Sequence, residues 1–229
     1  MDIETFEVGD LRVRICYDEG GSDSPRDWDN VTKIYGEHRS YTIGDGDPPP
    51  EHKEVLERGG LRLLYRWLRR YGDIIVFAKL GMLDHSGISF YPVLMGDSAT
   101  HWVDYGGWDS GCVGYVYVAR EDWVKCCGDT DPFEMVDGEA KFPLGSVPVK
   151  VARAWRVLED EVETYSDWAN GQVFGYIIEK PHDCGTEHCP HDTVLDSCWG
   201  FIGDGVEQEA RLQAQWYIDN PSWRTDVSA

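Results

Sequence analysis

The sequence predicts an α+β fold: a mostly antiparallel sheet, three or so packed helices and a Cys/His-rich hairpin insert, in a single domain over residues 1–229. Three observations carry that expectation. Strand-like and helix-like apolar patterns both occur, yet they do not alternate in a regular βαβ beat. No Gly-rich phosphate loop of either standard spacing is present. Two strand-like runs, 172–180 and 194–202, bracket a polar segment at 181–197, the layout of a hairpin with an insert.

Along the chain, LRVRICYD (11–18) alternates Leu11, Val13, Ile15 and Tyr17 with Arg12, Arg14 and Cys16, a strand with one buried face. Turn chemistry follows at 20–30, and a Pro-rich loop at 44–52 ends in a helix start. That helix carries Leu61, Leu64, Trp67, Leu68 and Tyr71 on one stripe, with Gly59–Gly60 breaking it from a shorter preceding turn. Its arginines 62, 66, 69 and 70 read as a solvated face. DIIVFAKL (73–80) and CVGYVYVA (112–119) read as buried strands. Residues 147–168 read as an amphipathic helix through Val151, Ala154, Trp155, Leu158 and Val162, and 207–218 as a closing helix. SGCVGYVYV (110–118) echoes NGQVFGYII (170–178), which fits either duplication or two strands sharing one turn chemistry.

Composition sets the habitat. Forty-two acidic residues stand against 21 basic ones, seven Lys and fourteen Arg, for a formal charge of −21. The acids are spread through every segment instead of lining one long element. That distribution suits a halophilic surface, since in molar salt the Debye length shrinks to about 3 Å and self-repulsion is tolerable. An acidic DNA mimic is the competing reading. No basic patch is available to neutralise phosphates, so direct nucleic-acid binding is not expected. The N-terminal MDIETFEVGD lacks a signal-peptide pattern, and no run approaches the roughly eighteen apolar residues of a membrane span. A cytoplasmic protein without a membrane partner is therefore expected. Its seven cysteines should be thiols or metal ligands.

GMLDHSGISFYP (81–92) places Asp84, His85 and Ser86 in succession. On an extended chain Asp84 and Ser86 share a face while His85 points away, so the three cannot form a relay among themselves. A composite site is the alternative. GGWDSG (106–111) offers Asp109 and Ser110 just before a strand, as LDHSG follows one. If the strands pair, His85 becomes a candidate general base oriented by Asp109 or Asp84, with Ser86 and Ser110 nearby. SPRDWDN (24–30) would join them with Arg26, Asp27 and Asp29. The plainer reading is that these residues build Asx-type turns.

PHDCGTEHCPHDTVLDSC (181–198) gathers His182, Cys184, His188, Cys189, His191 and Cys198. Zinc takes four N or S ligands, and this segment holds more than enough. Cys184, Cys189 and one or two of the histidines are the first choice, and a solvated tip or a disulfide are the alternatives. Such a zinc would be structural, stapling a hairpin that lacks a core of its own.

The set SPRDWDN, DHSGI, WDSG followed by VGYVYV, and DSCWGF resembles a family of tailed-phage and mobile-element accessory proteins without an assigned activity. It covers roughly residues 11–202. The resemblance implies a small soluble protein made inside the host cell. With the acidic composition, it points to a virus or provirus of a halophilic archaeon. The family pattern commonly has Gln after WDSG, where this chain has Cys112; if that Gln serves chemistry, the resemblance implies that this chain lacks it. The expected role is binding of a host protein serving defence or replication. A hydrolase using His85 and Asp109 is the runner-up.

Overall fold

The computed structural model describes residues 2–20, 22–95, 109–142, 145–182 and 192–221. In chain order these form β1 (Asp2–Val8), β2 (Leu11–Tyr17), a 3-10 turn (Pro25–Asp27), β3 (Thr32–Glu37), β4 (Thr42–Gly44), α1 (Pro50–Tyr71), β5 (Ile74–Asp84) and β6 (Ile88–Val93). There follow β7 (Ser110–Ala119), α2 (Arg120–Cys127), β8 (Met135–Phe142), β9 (Gly145–Ala152), α3 (Arg153–Ala169), β10 (Val173–Lys180), β11 (Thr193–Ile202) and α4 (Val206–Asp219). Among the described residues all strand pairs are antiparallel, and the fold is α+β. The chain packs as two compact units, 1–23 with 171–229, and 24–170.

The terminal unit is a sheet in the order β1-β2-β10-β11 with α4 on one face. The period-two reading of β2 holds over Leu11, Val13 and Ile15, buried beside Tyr176 and Ile178 of β10, and fails at the strand's end, where Tyr17 is exposed and Cys16 is buried on the other face. Ala210 and Ala214, both fully buried, let the α4 backbone lie close on that apolar face. Arg12 and Arg14 turn to the opposite face, where carboxylates meet them. Arg12 contacts Asp192 at 2.7 Å and Glu179 at 3.5 Å, and Arg14 contacts Glu179 and Asp2 at 3.2 Å each. On the same face Gly175 stands in register between Cys16 and Trp199. The Trp199 ring lies across the bare glycine; a Cβ there would come 2.2 Å from the ring.

The central unit is a five-stranded sheet, β4-β3-β7-β5-β6, between two helices. Alternation along β7 feeds both sides: Val116 and Val118 join the cluster under α3, while Tyr115, Tyr117 and Ala119 join the one under α1. Gly59 and Gly60 have non-helical backbone angles, so α1 is broken where the sequence indicated. In the first half of α1 His52 is buried. It meets the Tyr115 hydroxyl at 2.9 Å among the rings of Tyr35, Trp67 and Tyr117.

Helix α3 closes the sheet. Tyr165 stacks on Phe90 of β6 with centroids 5.1 Å apart, and its hydroxyl accepts from Gly44 N–H of β4 at 2.9 Å. Flat sheets separate such edges by four strand spacings, roughly 19 Å. One tyrosine touches both, so this sheet is curled around the helix. The same helix satisfies the β6 edge. Asn170, its C-cap, accepts from Ile88 N–H at 2.6 Å and donates to Ile88 C=O, and Ser166 accepts from Phe90 N–H at 3.0 Å. Pro92, next on that edge, has no donor to offer. Both edges are thus denied to a further strand.

Residues 147–168 correct the sequence reading. The helix starts at Arg153, and 145–152 is strand β9 paired with β8. Val147, Val149 and Val151 alternate at period two, and that signal runs directly into the period of 3.6 that follows.

Candidate functional site

The β5–β6 hairpin turns through His85, Ser86 and Gly87. Ser86 sits at φ 60° and Gly87 at φ 158°, the positive angles of a tight three-residue turn. His85 N–H donates to Gly87 C=O at 3.0 Å, and Asp84 N–H donates to Asp109 C=O at 2.7 Å. The second bond continues the β5–β7 ladder, in which Leu83 pairs with Ser110. The two loops therefore meet at one end of the sheet. His85 Nδ1 lies 3.0 Å from Asp109 Oδ2.

A carboxylate only accepts, so it draws the proton onto Nδ1 and leaves Nε2 with the lone pair of a base. The side chains of His85 and Asp109 are 71% and 47% exposed. Ser110 is half-buried in β7, while Asp84 and Ser86 are exposed beside the pair. The arrangement can take a proton from water or an alcohol. Among the described residues, the wall beside the His85 ring is the turn itself with Asp109.

SPRDWDN does not join this cluster. Thr32, just after it, pairs with Val118 of β7, whereas the DHSG turn flanks Ser110 at the other end. Eight residues of strand separate them, roughly 26 Å. The expectation that sequential polar turns gather at one end fails because β3 pairs antiparallel with β7, across four intervening elements, so the two strands begin at opposite ends.

In its own place SPRDWDN builds a buried ion network. Ser24 caps the 3-10 turn by accepting from Arg26 N–H, and Asn30 donates to the carbonyls of Pro25 and Trp28. Arg26 then reaches inward, its side chain 4% exposed. It grips Asp45 through Nε at 2.9 Å and Nη2 at 3.1 Å, donates to Thr32 C=O at 2.7 Å, and meets Glu161 of α3 at 3.4 Å. Glu161 also accepts from the backbone N–H groups of Val31 and Thr32 at 2.8 and 3.0 Å. Asp45 accepts from Ile34 N–H at 2.7 Å. These side chains join α3, β3 and the loop after β4. Arg26 stood out in the sequence; its partners at 32, 45 and 161 carried no local signal.

Cys184, His188, Cys189 and His191 lie outside the described residues. His182 is exposed at the mouth of the insert, its N–H donating to Asp192 at 2.7 Å. Cys198 is exposed on β11, five residues beyond Thr193, about 17 Å along the strand. The structure does not bring His182 and Cys198 together. Among the described residues, no three His, Cys, Asp or Glu side chains converge as a metal would require.

Among the described residues, no helix is long and apolar enough to cross a membrane. No protein-family model, no curated protein and no solved structure matches the chain.

Proposed function

We propose that this chain is a non-enzymatic accessory protein that binds a host protein with a basic surface. The observation that carries this reading is where the motif residues go. Arg26 is sealed into an ion network, Asp109 and Gly87 pin a hairpin, and Trp199 covers a glycine. These roles are architectural, and they leave a surface whose dominant property is a net charge of −21. Such a charge steers association with basic partners and discriminates against other polyanions. The partner class, host machinery for defence or replication, is our extension of the resemblance to mobile-element accessory proteins, a family without an assigned activity.

Affinity capture from lysate of a halophilic host, at the salt concentration of that cytoplasm, tests the reading. The expected result is a stoichiometric basic partner whose association slows as salt is raised further. Recovery of background proteins alone overturns it.

A second reading is favoured by one distance, the 3.0 Å between His85 and Asp109. It makes the chain a hydrolase in which His85 activates water. Turnover of ester or phosphoester probes that is lost in both His85→Ala and Asp109→Asn would support it. Turnover surviving in both variants would remove it.

A further inference from the structure

We propose that the open cleft on the helix-free face of the terminal sheet binds a guanidinium group. The cleft encloses about 490 Å³ between Trp199 and the turn Asp18–Gly20, with Cys16 at its floor. That volume lies within the range of small-ligand sites, roughly 300–1,000 Å³.

Its walls match one ligand chemistry. Trp199 keeps one side against Gly175, in register with Cys16, and remains 45% exposed. The indole is thus a fixed plate, and the plate most favourable for a flat cation is a tryptophan face. Opposite it, Asp18 is held in place because its backbone N–H donates to Val173 C=O at 2.9 Å and its Oδ1 accepts from Gly20 N–H at 3.0 Å. Glu19 follows it in the same turn. The floor is a neutral thiol that donates to the Asp2 carboxylate at 3.1 Å. Burial first, then the adjoining Asp2 carboxylate, pushes the Cys16 thiol up to about 11, so it stays protonated.

The surroundings repel anions. On this face Arg12 and Arg14 are already engaged by Asp2, Glu179 and Asp192, two cations against three carboxylates. A guanidinium combines a flat stacking surface with N–H groups arranged for a carboxylate, which an ammonium does not. An arginine side chain of a protein partner and a free guanidino compound share this chemistry.

The site gives the binding reading a chemistry and rests on it for its biological sense. Its test is independent of partner capture. The protein is labelled with 15N at the tryptophan indoles, and the Trp199 signal is assigned by its loss in Trp199→Phe. Titrants at constant ionic strength are N-acetyl-arginine methylamide, its neutral citrulline isostere, and the pentapeptide Gly-Gly-Arg-Gly-Gly.

The arginine amide should shift the Trp199 signal saturably, with at least tenfold weaker binding for the citrulline compound. Asp18→Asn with Glu19→Gln keeps the turn acceptor at residue 18 and should weaken binding at least fivefold. Tighter binding of the pentapeptide assigns the site to a protein arginine, and equal or weaker binding assigns it to a small guanidino ligand. An unmoved Trp199 signal, equal binding of citrulline, or an unaffected double variant overturns the proposal. Failure here with a partner still captured removes the cleft alone, whereas failure of capture with arginine still bound removes the partner.

Discussion

Replacing Arg26 with Ala should be the most damaging polar substitution in the central unit. The guanidinium is 4% exposed, and the side chains it neutralises, Asp45 and Glu161, are 19% and 20% exposed. Its loss leaves two carboxylates facing the same space without a cation, and the carbonyl of Thr32 without its 2.7 Å donor. Breaking a buried pair in this way costs about 3–5 kcal/mol. Because a fifth of each carboxylate still reaches water, the lower end applies, about 3 kcal/mol. For a chain of this size that lowers Tm by roughly 6–12 °C. Differential scanning calorimetry at fixed molar salt reads it, and hydrogen exchange at Thr32 and Ile34 reports whether the loss is in this unit. Arg26→Lys keeps the charge but not the two-pronged grip on Asp45, so it should fall between. Arg58→Ala is the control, because its pair with Glu54 is 69% and 62% exposed and contributes about 0.3–0.5 kcal/mol. If Arg26→Ala lowers Tm no more than Arg58→Ala, the network has been misread.

Burial holds the His52 imidazole below its ordinary range, so the unfolded chain binds more protons in the window beneath about 6.5. Stability should therefore fall as pH drops through that window and level off below the folded-state value, and His52→Gln should flatten the slope; equal slopes would refute the assignment. Carboxylates this numerous repel at low ionic strength, so Tm should rise with added salt. A Tm that is flat or falls with salt would favour the DNA-mimic reading. We propose zinc in the Cys/His insert: protein purified without chelator should carry about one equivalent, lost in Cys184→Ser with Cys189→Ser. Unchanged metal content in that double variant would refute the ligand set.

The alternation of β2 and the apolar runs of β5 and β7 could be read from the sequence, as could the break at Gly59–Gly60 and the pairing of β10 with β11. Those signals are local: side-chain alternation, apolar runs and residues that break helices. What escaped was set by distant partners. β9 merges in the sequence pattern with the helix after it, because its alternating valines also satisfy part of a helical spacing. The edge strands β1 and β4 escaped for a different reason. β1 has apolar Ile3, Phe6 and Val8 out of strict alternation among three acids, and β4 is three residues long, stabilised by Tyr165 more than by its own pattern. For the candidate site, the His85–Asp109 pair was readable because both residues flank strands that pair. The burial of Arg26 was not, since it depends on Glu161 arriving 135 positions later.

The position of α3 in the chain has a consequence for synthesis. All five strands of the central sheet are made by Ala119, but the side chains that cover its two edges, Tyr165, Ser166 and Asn170, come about fifty residues later. At translation rates of roughly 5–20 residues per second, the nascent sheet waits about 3–10 s with both borders open. During that interval neighbouring chains on one polysome present matching edges to one another. The two edge strands, TIG and ISFYPV, carry no acidic side chain of their own, so the charges that would keep growing copies apart sit in the flanking segments. Slowing elongation between codons 120 and 170 should lower the soluble yield of the full-length chain, even though the finished molecule is the same.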